Sequence, residues 1–260
     1  MEGVPFDDRG LTLGDGLFET LLARSGELVA FEAHLRRMTA GAKVLGLPPP
    51  DSDMARRLCR QALAQADLEQ ARAAVRLTLT AGSGGRGLDR PASLAPRLFA
   101  SAAPAPKPTG PARLVVSSVR RNEGSPASRL KTLAYLDNIL ARREATAAHA
   151  DEALMLNARG EVACAASANL FWTTGERLFT PALSCGVLDG IMRRQLIAGA
   201  RSQGLVVEEV AVGLDALASA DAIILSNSLI GVRAVSRLGD KVLPDHPLAA
   251  TLVVWVAASI

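Results

Sequence analysis

Apolar residues recur along this chain in two rhythms. Between residues 32 and 45, Leu35, Met38, Ala42 and Leu45 fall at three- and four-residue steps, the period of a helix with one buried face. Asp51 and Ser52 offer capping side chains ahead of Met54, Leu58 and Ala62, which predicts a second helix. At residues 74–80 the rhythm shortens to two. Val75, Leu77 and Leu79 alternate with Arg76, Thr78 and Thr80, the pattern of a half-buried strand. Residues 17–23 also read as a strand, Gly26-Glu27 as a hairpin-type turn, Asp7 to Gly10 as an acidic turn, and residues 97–101 as a strand able to pair beside 74–80.

Further on, strand-like runs cover residues 114–119, 153–156, 166–172, 178–180, 206–212 and 222–225, and helical ones 135–149, 191–202 and 248–258. Strands and helices alternate, so the class is α/β or α+β. Turns such as Asn157-Ala158-Arg159-Gly160 favour mixed or antiparallel sheets. Residues 103–112 hold four prolines and one glycine, a composition that no helix or central strand can cross. They predict a linker between an N-terminal domain, 1–102, and a C-terminal domain, 113–260.

Composition narrows the partners. A net charge of +3 with 3% aromatics and no basic stripe argues against nucleic acid. Three cysteines, Cys59, Cys164 and Cys185, form no CxxC pair or metal-spaced cluster, so no metal is expected and a reducing cytoplasm is the default. The opening residues lack a signal-peptide core, and residues 248–260 are too short for a bilayer.

The chain has no phosphate-binding P-loop, dinucleotide GxGxxG, HExxH or GxSxG signature, and only three histidines. That leaves chemistry run by Lys, by Arg or by a cofactor. Three segments are candidates. Gly82-Ser83-Gly84-Gly85-Arg86-Gly87 follows a strand; it is either a plain surface loop or one that admits a ligand with Arg86 gripping a carboxylate. Residues 185–193 lead into a helix whose start is either simply capped or binds an anion. Lys131 lies between Leu130 and Thr132-Leu133; it is either a solvated lysine or an amine with lowered pKa.

Taken in order, Asp8-Arg9-Gly10, Gly14-Asp15-Gly16-Leu17-Phe18-Glu19-Thr20, His34-Leu35-Arg36-Arg37-Met38, the glycine loop, Leu130-Lys131-Thr132-Leu133, Ala168-Asn169-Leu170-Phe171, Thr180-Pro181 and Gly186 to Arg193 resemble the class IV aminotransferases. The resemblance spans nearly the whole chain. It implies a two-domain fold of the D-amino-acid aminotransferase-like type, fold type IV, with pyridoxal 5′-phosphate (PLP) at the interface and a homodimer. It makes Lys131 the catalytic Schiff-base lysine and Arg37 the phosphate-pairing arginine. The backbone of Ile191 and Met192 becomes a phosphate cup, and Asn227-Ser228 the second phosphate loop. Arg86 falls where D-amino-acid aminotransferases hold the substrate carboxylate, and Phe18 where some members carry a tyrosine.

One position departs from the family pattern. Members typically place a Glu against the pyridine nitrogen, five residues before the Asn of the NLF-type strand; here that residue is Cys164. Glu161 is three residues off, and on a strand it would face the other way. A thiol partners a pyridinium poorly, so a weaker electron sink and a lean toward elimination are expected. The short chain, the GSGGRG loop and ANLFW are most similar to the 4-amino-4-deoxychorismate lyases, which release pyruvate and leave 4-aminobenzoate. An aminotransferase acting on D-amino, branched-chain or other amino acids is the alternative. A scaffold that keeps the fold without activity is a third reading, permitted by Cys164 and opposed by Lys131 and Arg37.

Overall fold

The computed structural model describes residues 3–248, 250–252 and 255. The chain divides into two compact units, Met1–Pro106 with Leu130–Ala134, and Lys107–Arg129 with Tyr135–Ile260.

The first unit contains α1 (Arg9–Leu13), β1 (Gly16–Arg24), β2 (Glu27–Leu28), α2 (Phe31–Leu45), α3 (Ser52–Gln65), β3 (Arg72–Thr80) and β4 (Arg97–Pro104). Its strands form one antiparallel sheet in the order β2-β1-β3-β4. Leu17, Leu21, Ala23, Val75, Leu77 and Leu79 line one face and pack against Phe31, Leu35, Met38 and Ala42 of α2 and Ala55, Cys59 and Leu63 of α3. Each fully buried leucine here contributes about 1.5–3 kcal/mol. The expected turn over Asp7 to Gly10 partly becomes α1, because the Asp8 side chain accepts from Gly10 N and caps a helix. The strand alternation also differs from expectation. Thr78 and Thr80 are buried, Thr80 donating its hydroxyl to Asp8.

The second unit contains β5 (Ala112–Val116), α4 (Leu136–Ala147), β6 (Glu152–Leu156), β7 (Val162–Ala165), β8 (Asn169–Thr174), β9 (Arg177–Pro181), α5 (Ile191–Ser202), β10 (Val206–Val210), α6 (Asp215–Ala218), β11 (Ala222–Asn227), β12 (Gly231–Leu238) and β13 (Lys241–Val242). The mixed sheet runs β10-β9-β8-β11-β12-β5-β6-β7, with β13 beside β12. Met192, Leu196, Ile197 and Ala200 of α5 pack on Phe171, Leu178 and Ile224. The strand expected from residue 166 starts at Asn169. Ala166 and Ser167 are in a bend held by Asn138 Nδ2 on the Ala166 carbonyl and Asn227 Nδ2 on that of Ser167. Of the helix expected at 248–258, residues 248, 250–252 and 255 are described, and these are helical. The rest lies outside the described residues. No helix of the described residues is long and apolar enough to cross a membrane.

Candidate active site

Lys131 belongs to the first unit, whereas its place after the proline-rich stretch put it in the C-terminal domain. Hydrogen bonding explains the difference. Phe18 N donates to the Lys131 carbonyl at 2.9 Å and Leu133 N to the Gly16 carbonyl at 3.0 Å, so the lysine segment adds a short rung to β1. Gly16 is required there, because a Cβ would meet the Leu79 carbonyl and the Leu133 side chain.

The two faces of β1 do different work. Phe18 and its partner Thr78, like Thr20 and its partner Arg76, point away from the helices, whereas Leu17 and Glu19 point toward them. On the face away from α2 and α3 the Lys131 Nζ lies 4.2 Å from the centre of the Phe18 ring, and the Arg76 guanidinium carbon 3.6 Å from the same centre. The ring holds two cations as neighbours, each contact worth about 1 kcal/mol. In the sequence Arg76 is a polar strand position; its place at the Phe18 ring depends on strand pairing that sequence does not display.

On the helix face Glu19 is 1% exposed and takes both oxygens into ion pairs. Arg37 donates Nε to Oε1 at 2.8 Å and Nη2 to Oε2 at 2.6 Å; His34 Nδ1 lies 2.7 Å from Oε2. Burial pushes the Glu19 pKa up, but hydrogen bonds from Arg37 and His34 outweigh it and hold the carboxyl at about 2. An ionised carboxylate only accepts, so His34 carries its proton on Nδ1. Burial lowers the His34 pKa against the pull of Glu19, with the charges of Arg37 and Lys131 adding to the fall. The guanidinium of Arg37 is thus oriented by a buried carboxylate that a neutral histidine also grips. His34 and Glu19 stand in separate sequence motifs, and their 15-residue separation hides the pairing.

In the second unit the anion cradle is made of backbone. α5 begins at Ile191 after an N-cap, Gly190, that makes no side-chain cap, so the amides of the first turn point outward without intrahelical partners. A side chain at Gly190 would collide with the Asn169 amide. On β11, Ile224 packs under α5 and the two-residue period puts Ser226 on the same face. The Ser226 hydroxyl is fully buried and makes no hydrogen bond among the described residues. Asn227 spends its side chain on the following turn, accepting from Leu229 N at 2.9 Å and Ile230 N at 2.8 Å. Only its neighbour Ser228 and the turn backbone remain to meet an anion. Cys164, on β7 opposite Met155, is buried. Burial raises its pKa, Glu152 adding and Arg121 opposing, so it is a neutral thiol. Glu161 sits just before β7, tied to Asn157 and Arg159. Arg86 is exposed at the tip of the glycine loop.

The antiparallel sheet backed by two helices and the mixed sheet that follows it give the chain the fold of the type IV PLP enzymes. A model of amino-transferase class IV matches residues 16–238, and the chain belongs to that family. It is 30% identical over 241 residues to an aminodeoxychorismate lyase of Vibrio harveyi, covering 90% of this chain and 87% of the other. A crystal structure titled as a putative 4-amino-4-deoxychorismate lyase from Legionella pneumophila matches with a TM-score of 0.92 at 29% identity, covering 100% of this chain and 96% of that one. A PLP-bound hypothetical aminotransferase from Mycobacterium tuberculosis matches at 0.88 and 26%, covering 100% and 94%. D-alanine and branched-chain aminotransferases are also among the relatives. The protein is a PLP-dependent enzyme. The residues present fit that cofactor: the Ser226 hydroxyl, which has no partner among the described residues, and the uncapped start of α5 suit a phosphate.

Proposed function

We propose that this enzyme is a 4-amino-4-deoxychorismate lyase, releasing pyruvate and 4-aminobenzoate. The observation that carries the reading is the pair of cations on the Phe18 ring, the Lys131 amine and the Arg76 guanidinium. That arrangement suits proton transfer on a substrate rich in carboxylates, and the substrate has two. The similarity to lyases over most of the chain supports it.

In this reading Lys131 would hold the cofactor through its amine. Arg37, held by Glu19, would pair with a phosphate. The Ile191 and Met192 amides and the Asn227-Ser228 turn would offer a phosphate their backbone N–H groups. Cys164 would be offered to the cofactor ring as a neutral thiol. When bound, PLP supplies an electron sink for the carbanion left by proton loss. Lys131 takes the proton from the ring carbon that bears the substrate amine. The ring then expels the enolpyruvyl oxygen and becomes aromatic, and the proton lost from carbon balances the one pyruvate gains. Arg76 and Arg86 hold carboxylates, and Phe18 gives the ring an apolar wall.

Arg86 on its loop also suits the carboxylate of a D-amino acid, the feature that favours an aminotransferase as the second reading. Purified holoenzyme given aminodeoxychorismate alone should release 4-aminobenzoate and pyruvate in equal amounts. Turnover only with an amino acid and a 2-keto acid together would sink the lyase reading. A homodimer and a cytoplasmic setting belong to the same proposal. Leu136, Ile139 and Leu140 of α4 are 65%, 54% and 39% exposed at helical spacing, which suits self-association. Sedimentation equilibrium at the mass of one chain would remove the dimer.

A further inference from the structure

The glycine loop that carries Arg86 has its carbonyls gathered onto one buried side chain. Arg9 is 4% exposed. Its Nη1 donates to the carbonyls of Asp89 at 3.0 Å, Gly87 at 3.3 Å and Gly84 at 3.5 Å, and its Nη2 to that of Leu88 at 3.0 Å. Its Nε donates to Asp15 Oδ2 at 3.0 Å. The same carboxylate takes Arg90 Nε at 2.9 Å and Nη2 at 2.5 Å. Arg90 in turn donates to the Leu45 carbonyl at the end of α2. Residues 84–89 have no strand or helix of their own, and residues 85–89 are exposed. A glycine-rich segment of that kind is expected to be mobile. Here one planar guanidinium, with donors in a fixed fork, turns successive carbonyls inward and leaves the tip side chains outward.

We propose that Arg9 is a positioning residue for substrate selection: it fixes the loop so that Arg86 stands ready for a carboxylate. This rests on the reading of Arg86 given above. Lysine at position 9 keeps the charge but is a point donor that cannot span four carbonyls. The Asp15 bridge to Arg90 is left in place by that change.

The test uses holoenzyme carrying Arg9→Lys. Trypsin cleavage after Arg86 should become faster than in the wild type. KM should rise about tenfold while kcat stays within about twofold, the signature of lost binding shared by ground and transition states. The absorbance of bound cofactor and its affinity should not move. Unchanged cleavage and unchanged KM would overturn the proposal, as would a cofactor that no longer binds. Arg86→Ala separates the two layers. A wild-type KM in that variant removes the role given to Arg86, while faster cleavage in Arg9→Lys still supports Arg9 as the residue that holds the loop. Wild-type protein gives a readout free of folding defects. Arg86 should resist trypsin far longer than the same bond in a synthetic peptide of residues 82–91, and equal rates would overturn the clamp.

Discussion

The two units build their candidate sites from opposite materials. The first uses charged side chains around β1: Lys131 and Arg76 against the Phe18 ring, and Arg37 locked by Glu19, which His34 also grips. The second uses backbone and neutral groups, with the start of α5, the Ser226 hydroxyl and the Cys164 thiol. Side-chain charge must be oriented by further charge, which is why the first unit buries an ion pair. Main-chain amides are oriented by the helix itself, and need only a glycine where a side chain would intrude.

Removing the amine should have the largest effect. Lys131→Ala is expected to lose at least about 10³-fold in turnover and the covalent trapping of cofactor by borohydride. Retained trapping in that variant would shift the chemistry away from the first unit. Next comes the orienting carboxylate. Glu19→Gln leaves Arg37 without its anion and should cost about 3 kcal/mol in stability, with weaker cofactor affinity, as measured by thermal unfolding and cofactor titration.

The same cluster sets an acid limit. The Glu19 carboxyl is depressed from 4.5 to about 2, so the folded state binds its proton later than the unfolded one. Its stabilisation is full above about pH 4.5 and is lost as pH falls toward 2. His34 also has a lowered pKa, so the unfolded chain takes up its proton first and stability begins to fall below about pH 6.5. Denaturant midpoints against pH should show both windows, and Glu19→Gln should erase the lower one.

Cys164→Glu gives the second unit a charge where it has none. It should shift the absorbance of bound cofactor and raise transamination about tenfold relative to elimination. An unchanged spectrum and unchanged rates would end the role given to that thiol. The smallest effect is expected at Ser226→Ala, where cofactor affinity should drop about fivefold, one hydrogen bond's worth. The unliganded fold should be no less stable, since the hydroxyl has no partner to lose among the described residues.

Much of this arrangement was legible in the sequence, for stated physical reasons. α5 was bounded at Ile191 and Ser202 because its apolar stripe and its preceding glycine are both local signals. α2 and α3 followed from their spacing and the Asp51 cap. β12 escaped notice because alternation breaks at Ala234-Val235, next to a register shift against β5. β7 escaped because Val-Ala-Cys-Ala offers few strand-forming side chains. Motif letters gave Lys131, Arg37 and Arg86 as candidates. They gave no hint that Glu19 orients Arg37, that Arg76 shares the Phe18 ring with Lys131, or that Arg9 gathers the loop. Those relations join residues 18 to 80 positions apart, and strand register and helix packing bring them together.

The backbone leaves the first unit at Pro106, returns for the five residues Leu130–Ala134 and departs again. During synthesis the leading hundred residues can therefore collapse around their own helices while still lacking Lys131. That lysine arrives later, when a stretch translated after the proline-rich passage threads back beside Gly16, and a gene cut at that passage would encode an N-terminal fragment without it.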